Sequence, residues 1–411
     1  MSNIFDVCVV GLGVAGTFAC LKIAKDHKNT KVIGIEIGRG PAKRRQQLFG
    51  WLGSLPSSDG KLYQNDLSKV ADITGLRRAK KAHTWFKHIM EQVNDFKVIK
   101  DRAPVVALEK KIKKLGYEVC LNDYIQMYPK EIHSLSKYMA DTIEHDKNIT
   151  FSFENEAVRI SKQKNVFIVA TEKQEYRCKK LIIAVGRSGW RWAKSVYSNF
   201  GIIDSNDIAR FGIRIEANSS VMKDFNRTNC SLIRGDVEIG PFSWFGTVIP
   251  EDHSLATDTQ EIEMAISAFR SNEARWKTDK VSFSLIGSRP FPNRGVEEAD
   301  RIGQLTFTLS NDRILKERVS SLMHGRSKIS ILSEYDWLKP TIAELATAVP
   351  EIATKAYFHV PCMIPTVPKI NLGDNLESEV DGMFLVGESA GIMGILAAGL
   401  TGIVAGDAAC K

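Results

Sequence analysis

Three glycines near the start of the 411-residue chain have the spacing of a phosphate-binding turn. Gly11, Gly13 and Gly16 form a Gly-x-Gly-x-x-Gly motif directly after the apolar run 5–10. In such a motif one glycine permits a tight turn out of a strand, one lets a pyrophosphate approach the backbone, and one lets the next helix pack close to the sheet. Amide groups at the start of that helix attract phosphate oxygens. The motif therefore predicts a dinucleotide-binding unit.

An acidic residue follows this motif at the separation that ribose recognition requires. The run 31–36 is typical of a second strand and ends in Glu36, about twenty residues beyond the glycines. A carboxylate in this place accepts hydrogen bonds from ribose hydroxyls, and it favours an unphosphorylated ribose over a 2′-phosphate. These residues leave open which dinucleotide binds.

Two later apolar runs also end in turns of small residues. The first is 180–189, which ends in Gly186-Arg187-Ser188-Gly189, and the second is 382–391, which contains Gly387-Glu388. The second run repeats the pattern of the opening motif, because its carboxylate can bind hydroxyls and the N-terminus of the helix that follows can face an electron-rich group.

The segment 392–406 is long and uncharged enough to suggest a membrane span. Its many glycines and alanines favour a helix that is buried under a cofactor. We therefore expect no membrane partner.

Composition narrows the class of protein. Hydrophobic content of 44% and charged content of 25% are ordinary for a folded domain. The net charge of +8 is spread along the chain, which favours solvated helix faces, although an RNA partner stays open.

The seven cysteines occur singly, and the first strand starts almost at once, so we expect a cytoplasmic protein without a signal peptide. His83 and His88 are five residues apart and do not form a helical metal pair, so we expect no metal.

The pattern of elements predicts two domains. Between about residues 201 and 358, strand-like runs at 211–215, 281–285 and 304–309 alternate with segments of helical character at 258–269 and 311–322. We expect an α/β fold in which residues 1–203 and 359–411 form a discontinuous Rossmann-like domain, and residues 204–358 form an inserted α+β substrate domain.

The motifs together resemble those of known flavoproteins. GLGVAG with Glu36, LIIAVGRSG and MFLVGESAG resemble the FAD-binding pattern of the glutathione-reductase-like superfamily. More closely, SSDGKL at 57–62, AVGRSGW and the tail GESAGIMGILAAGLTGIVAGDAA look like a poorly characterised family of FAD-utilising dehydrogenases. The resemblance is weaker between residues 204 and 357, where substrate specificity would lie.

This resemblance implies roles for individual residues. Gly11, Gly13 and Gly16 would lie against the FAD pyrophosphate, Glu36 would hold the adenosine ribose, and Val158 would lie near adenine. The N-terminus of the last helix would stabilise negative charge on the reduced flavin. The complete set of predicted cofactor-binding residues is Gly11, Gly13, Val14, Ala15, Gly16, Glu36, Ile37, Ser58, Asp59, Gly60, Val158, Ala184, Val185, Gly186, Gly387, Glu388, Gly391, Gly394 and Ile395.

One irregular loop has a composition suited to covering a flat ring. In the stretch 46–62, glycine, serine and proline alternate with large apolar residues, which disfavours a regular helix or strand. By the resemblance, the loop from Gly50 to Lys61 covers the isoalloxazine, with Ser58 or Asp59 holding it in place. Lys61 is the candidate catalytic residue, as a cation beside the reduced ring; the alternative is a solvated lysine.

We therefore expect an FAD-dependent oxidoreductase or dehydrogenase. The flavin N5 would exchange a hydride with a small or medium substrate, and an external donor or acceptor would complete the cycle. The sequence contains no second Gly-x-Gly-x-x-Gly motif with a ribose-reading residue and no Cys-x-x-Cys pair, as a disulfide reductase would have. The alternatives are a flavin-dependent monooxygenase and a nucleic-acid-associated, RNA-modifying flavoprotein.

Overall fold

The computed structural model of the protein describes residues 4–44, 48–254, 261–269, 277–364 and 369–411. Residues 46 and 47 of the predicted loop, and 258–260 of the predicted helix 258–269, lie outside this part of the chain. The helices described are α1 (Val14–Asp26), α2 (Asp66–Thr74), α3 (Leu76–Glu91), α4 (Val106–Lys114), α5 (Pro129–Glu144), α6 (Trp190–Phe200), α7 (Gly295–Leu309), α8 (Val319–Met323), α9 (Leu338–Ala348), α10 (Glu351–Lys355) and α11 (Ile395–Ala408).

The strands of the first half of the chain are β1 (Ile4–Val10), β2 (Val32–Ile35), β3 (Lys61–Tyr63), β4 (Val98–Ile99), β5 (Glu118–Cys120), β6 (Tyr124–Gln126), β7 (Ile149–Ser152), β8 (Ala157–Gln163), β9 (Val166–Thr171) and β10 (Glu175–Ile183). Those of the second half are β11 (Asp204–Ser205), β12 (Ile208–Asn218), β13 (Ser231–Arg234), β14 (Val237–Ile239), β15 (Ser243–Trp244), β16 (Thr247–Ser254), β17 (Glu261–Ala268), β18 (Lys280–Pro290), β19 (Leu315–Arg318), β20 (Tyr357–Met363), β21 (Lys369–Ile370) and β22 (Met383–Leu385).

The first sheet is built around β1 and has the order β7-β2-β1-β10-β9-β8. Strands β7, β2, β1 and β10 run parallel, whereas β10 and β9 form an antiparallel hairpin. Strand β22 pairs in parallel with the C-terminal half of β10, so the carboxyl ends of β1, β10 and β22 meet at one edge of the sheet. Parallel strands joined by helices, with ligands at their carboxyl ends, are typical of α/β proteins. The predicted α/β fold class is confirmed.

Two helices from opposite ends of the chain pack against each other with their backbones in close approach. A Cβ atom on Gly402 of α11 would lie 2.0 Å from the carbonyl oxygen of Ala15 in α1, and one on Gly406 would lie 2.8 Å from that of Ala19. Only glycine fits such a crossing without displacing the backbone. Among the described residues, no helix is both long enough and apolar enough to cross a bilayer.

The second sheet has the order β19-β20-β12-β18-β14-β13-β5, and β15 also pairs with β18. Its long central strands, β12 and β18, are antiparallel neighbours over their full lengths. Alternate side chains of β12, including Ile213 and Ile215, belong to a hydrophobic core formed with α7 to α10 and α4. Strands β16 and β17 form a separate antiparallel hairpin.

Three sequence-based expectations in this region are wrong. Residues 304–309 lie in α7, where the hydroxyl of Thr306 donates to the carbonyl of Ile302 and is thereby satisfied within the helix. Residues 261–268 form β17, because β16 supplies a partner for every backbone position from 261 to 268. The helix expected at 311–322 cannot begin at its first two residues, because Asn311 and Asp312 have φ angles of 60° and 53°. That segment forms β19 and α8.

Two hydrophobic cores divide the chain. The first surrounds the first sheet, and the second surrounds the second sheet. The second core also includes Leu108, Ile112 and Tyr117, which precede residue 204, and Val360 and Met363, which follow residue 358. The domain boundaries at 203/204 and 358/359 stay a prediction.

Candidate functional site

The glycine motif lies between β1 and α1, as expected. Gly11 to Gly13 form the turn, Gly13 is the N-cap residue of α1, and Thr17 donates its backbone amide to the carbonyl of Gly13 at 2.9 Å. The first turn of α1 contains no acidic residue. Its leading amide groups precede the first intrahelical bonds, and together with the positive end of the helix dipole they favour an anion. The sequence thus builds a phosphate site at this turn.

At Gly13 the missing side chain leaves space for a ligand and is not required by packing within the protein. Its backbone is extended, with φ of −64°, a conformation that any residue can adopt. A Cβ atom there would meet the protein only at ordinary contact distance, with Gly53 Cα at 3.8 Å and Ala184 O at 4.0 Å. By contrast, a Cβ atom on Gly16 would lie 1.9 Å from Gly11 O. Packing therefore requires glycine at position 16, whereas position 13 leaves bare backbone beside a cavity.

Glu36 organises the turn as well as facing the cavity. One carboxylate oxygen, Oε2, accepts the amide of Leu12 at 2.7 Å, and the other, Oε1, accepts the amides of Gly38 and Gly50 at 2.8 and 2.9 Å. A carboxylate has about four acceptor positions, so roughly one remains for a hydroxyl. Glu36 thus joins β2 to the glycine motif and to the covering loop.

A cavity of about 430 Å³ lies along the carboxyl ends of β1, β2, β10 and β22. Its volume is within the usual range for sites that bind small molecules and cofactors. Thirteen of the predicted cofactor-binding residues line it, and the structure brings them together from both ends of the chain. These residues are Gly11, Gly13, Val14, Ala15, Glu36, Ile37, Ala184, Val185, Gly186, Gly387, Glu388, Gly394 and Ile395.

A charged bridge stands at one side of the cavity. Glu388 accepts the backbone amide of Arg187 at 3.0 Å, and the guanidinium of Arg187 lies 3.1 Å from Glu388 Oε1 and 3.3 Å from Glu251 Oε2. The carboxylate of Glu388 raises the pKa of Arg187, while burial raises the pKa of Glu251 and Arg187 opposes that rise. Since Glu251 belongs to β16, this bridge connects the cavity to the hairpin on the second sheet.

No protein-family model matches the chain, and no curated protein matches it in sequence. Solved structures similar to it over most of their length include a glycine oxidase from Geobacillus kaustophilus, with 12% identity, 99% of this chain and 95% of that chain covered, and a TM-score of 0.47. They also include p-nitrophenol 4-monooxygenase PnpA from Pseudomonas putida DLL-E4, with 9% identity, coverage of 98% and 77%, and a TM-score of 0.43.

A third similar structure is a flavoprotein/dehydrogenase from Cytophaga hutchinsonii, with 14% identity, coverage of 99% and 78%, and a TM-score of 0.43. The names of the three proteins describe an oxidase, a monooxygenase and a dehydrogenase. With TM-scores below 0.5, these similarities carry no argument about the activity of this chain. Membership of the glutathione-reductase-like superfamily stays a prediction.

Six predicted cofactor-binding residues do not line the cavity: Gly16, Ser58, Asp59, Gly60, Val158 and Gly391. Val158 is largely exposed, and its carbonyl accepts the indole N–H of Trp192 at 3.2 Å. Ser58 caps its own turn by accepting the amide of Gly60 at 3.0 Å. These residues support the walls of the site.

Lys61 also lies outside the cavity lining, and it is not solvated. Its ammonium donates to Asn229 Oδ1 at 2.6 Å and to the carbonyl of Phe242 at 2.8 Å, and it lies 3.3 Å from Asp59 Oδ2. Burial lowers the pKa of Lys61, and the Asp59 carboxylate opposes that shift. In the structure Lys61 ties the covering loop to the second sheet, since Phe242 lies in the second core.

Asp66 occupies a place that the sequence did not indicate. Its carboxylate is buried at the start of α11, with Oδ2 3.5 Å from the amide of Ala397 and Oδ1 2.7 Å from the ammonium of Lys69. Burial raises the pKa of Asp66, and Lys69 opposes this. An acidic group of the chain itself therefore already faces part of the positive end of this helix.

Other residues that line the cavity are absent from the predicted cofactor-binding set. Arg187, Trp192 and the segment Asn155–Ala157 all border the cavity. In the sequence, Arg187 is only one member of a turn of small residues. Its role in the charged bridge depends on Glu251, which is 64 positions away. The alternation of large aromatic residues at the start of α6 was the one local signal for Trp192.

Proposed function

We propose that the cavity binds FAD and that the protein is an FAD-dependent oxidoreductase. The observation that supports this most is that the glycine motif, Glu36, the β10 turn and the Gly387–Glu388 turn all line one cavity. A dinucleotide as long as FAD would contact both the glycine motif and the Gly387–Glu388 turn. The bare backbone at Gly13 fits a group that approaches closely, such as a pyrophosphate.

The residues of the chain would hold the cofactor in distinct ways. The amides at the start of α1 attract the phosphates, and Glu36 offers its remaining acceptor position to a ribose hydroxyl. The Arg187–Glu388 pair fixes the carboxylate of Glu388 beside the cavity. When bound, FAD supplies hydride chemistry at N5, which no side chain provides. The protein contributes binding, orientation and exclusion of water.

The first experiment is isolation of the protein and identification of its cofactor. We expect a yellow protein with a flavin absorption spectrum, and release of FAD on denaturation, identified by chromatography against FAD, FMN and NAD standards. Colourless protein that also fails to bind added FAD would contradict the proposal. Anaerobic reduction by NADH or NADPH followed by oxygen then separates the dehydrogenase from the monooxygenase alternative, since only the latter accumulates a hydroperoxyflavin.

The RNA-associated alternative has its own test. Binding of an RNA through the basic faces of the helices should weaken steeply as salt is raised. Salt-independent binding, or none, would remove that alternative.

Glu36→Gln is expected to weaken FAD binding about tenfold, because a charged acceptor becomes a neutral amide with only one oxygen, and charge-assisted hydrogen bonds contribute about 1.5–3 kcal/mol. The measurement is titration of the apoprotein with FAD, followed by quenching of flavin fluorescence. Glu154→Gln is the control, because Glu154 is exposed and pairs with Arg39 at the surface. Equal affinities of the two variants would contradict the role given to Glu36.

A further inference from the structure

One face of the second sheet carries charged residues beneath the β16–β17 hairpin. On β12, Arg214 and Glu216 alternate with the core residues Ile213 and Ile215, so they lie on the opposite face. His359 of β20 is in register with Arg214, and cross-strand partners share a face. This face is therefore polar by strand alternation.

The hairpin covers this face and links it to the cavity. The amide of Val248 in β16 donates to Glu216 at 3.3 Å, and Ser267 of β17 lies 2.9 Å from Ser282 of β18. Two buried residues of β16 follow, Glu251 and His253. We call Arg214, Glu216, Glu251, His253 and His359 the polar cluster. Through Glu251 and its 3.3 Å contact with Arg187, the polar cluster adjoins the cofactor cavity.

Three buried nitrogen atoms in the polar cluster have no hydrogen-bond partner. They are Arg214 Nε, His253 Nδ1 and His359 Nε2. The two histidines are only 6% and 5% exposed. Glu216 Oε2 lies 3.8 Å from the unpartnered His359 Nε2, and Asp300 Oδ1 lies 3.8 Å from the other ring nitrogen of His253, Nε2. Buried polar atoms in folded proteins are almost always hydrogen-bonded. Three orphans in one cluster indicate acceptors that a bound molecule supplies.

The charged groups of the polar cluster are not all joined in direct ion pairs. Glu216 lies 3.6 Å from Lys316, and Glu251 lies 3.3 Å from Arg187. Within the part of the chain that the structure describes, Arg214 has no carboxylate within 4.0 Å, and its guanidinium interacts with the Cys362 thiol. Burial lowers the pKa of His359 to about 4, so this ring is neutral near pH 7. Arg214 attracts Glu251 only at longer range, where it opposes the rise that burial causes in the pKa of that carboxyl. The buried Nε of Arg214 therefore lacks a direct acceptor, which is costly.

We propose that the polar cluster binds the carboxylate group of a small-molecule substrate, with Arg214 as the cation and the histidine ring nitrogens as neutral donors. A guanidinium presents parallel N–H groups that match the two oxygens of a carboxylate. The identification of this ligand as a substrate rests on the proposed function, because the ligand would react with a redox cofactor bound in the adjoining cavity. The binding of the carboxylate itself does not depend on that function.

The test uses the protein as isolated and a panel of carboxylates with their neutral amides. Acetate, benzoate and succinate, and separately acetamide, benzamide and succinamide, are added in a buffer free of other carboxylates and of phosphate, and the thermal unfolding midpoint is followed. A ligand that binds only the folded state raises this midpoint, by an amount that grows with the logarithm of its concentration above Kd. We expect at least one carboxylate to raise the midpoint and its amide to leave it unchanged.

Two variants separate the cluster from general charge effects. Arg214→Met should fold, since Glu251 and Glu216 keep their partners Arg187 and Lys316, and it should abolish the carboxylate-dependent rise. Arg214→Lys should retain the charge but bind about tenfold more weakly. Arg210→Met is the matched control, because Arg210 lies on the same strand and pairs with Glu238 at 2.8 Å. It should keep the full rise.

The outcomes are distinguishable from those of the proposed function. Flavin content is measured on the same samples. A rise that depends on Arg214 in protein unable to bind FAD would support the polar cluster and overturn the oxidoreductase. Flavin-loaded protein in which no carboxylate raises the midpoint, or in which Arg214→Met keeps the rise, would overturn the cluster as a carboxylate site.

Discussion

Replacement of Gly13 by aspartate is expected to yield a folded protein that has lost FAD. The aspartate would place a negative carboxylate beside the bare backbone and the leading amides of α1, where the pyrophosphate is proposed to lie. It would repel the phosphates and also satisfy the amides as an N-cap. We expect at least a hundredfold loss of affinity, which corresponds to about 3 kcal/mol. Flavin-to-protein stoichiometry after gel filtration measures it.

The companion variant Gly13→Ala shows whether the effect belongs to the ligand. Its Cβ meets protein atoms no closer than 3.8 Å, and the backbone conformation suits any residue. Its unfolding midpoint should therefore match that of the parent protein, with FAD affinity reduced less than in Gly13→Asp. Gly13→Asp protein that retains a full equivalent of flavin would show that the phosphates lie elsewhere.

Acidification from pH 6.5 to 4 is expected to remove about 3 kcal/mol of folding free energy through His359 alone. Burial lowers the pKa of this ring from its ordinary 6.5 to about 4; Glu216 opposes the shift, and Lys316 and Arg214 add to it. Between these values the unfolded chain holds a proton that the folded chain lacks, so stability falls as pH falls. Above pH 6.5 both states are neutral at this position and the contribution is fully present.

Denaturant unfolding at several pH values measures this dependence. His359→Gln should flatten the curve between pH 4 and 6.5 by up to about 1.4 kcal/mol per pH unit. His88→Gln is the control, since that ring is largely exposed, and it should leave the curve unchanged. A wild-type slope that His359→Gln does not reduce would mean that other groups account for acid sensitivity.

The nucleotide half of the protein could be predicted from sequence because its signals are local. Turn glycines, a strand-end acid and an apolar strand each occupy a few consecutive residues, and parallel strands bring their carboxyl ends to one edge. Thus Gly13, Glu36, Gly186 and Glu388, separated by up to 375 positions, were expected beside one ligand and line one cavity.

The remainder depended on contacts between distant segments. Arg187 is informative only with Glu251, and Asp66 only with the start of α11. Arg214 stands in an ordinary alternating strand and becomes notable only because no carboxylate among the described residues pairs with it. The segment 261–268 was misread since a partner strand, which periodicity does not reveal, decides its conformation.

The crossing of α1 and α11 ties the order of synthesis to the assembly of the cavity. Gly402 fits against Ala15 so closely that the two helices must settle together, yet a ribosome makes them almost four hundred residues apart. Strand β22, which completes the cavity edge, is also made late. The glycine motif therefore gains its complete cavity only after α11 has been made, whereas the strands of the second sheet, which end at Met363, precede α11 in the chain and can fold earlier.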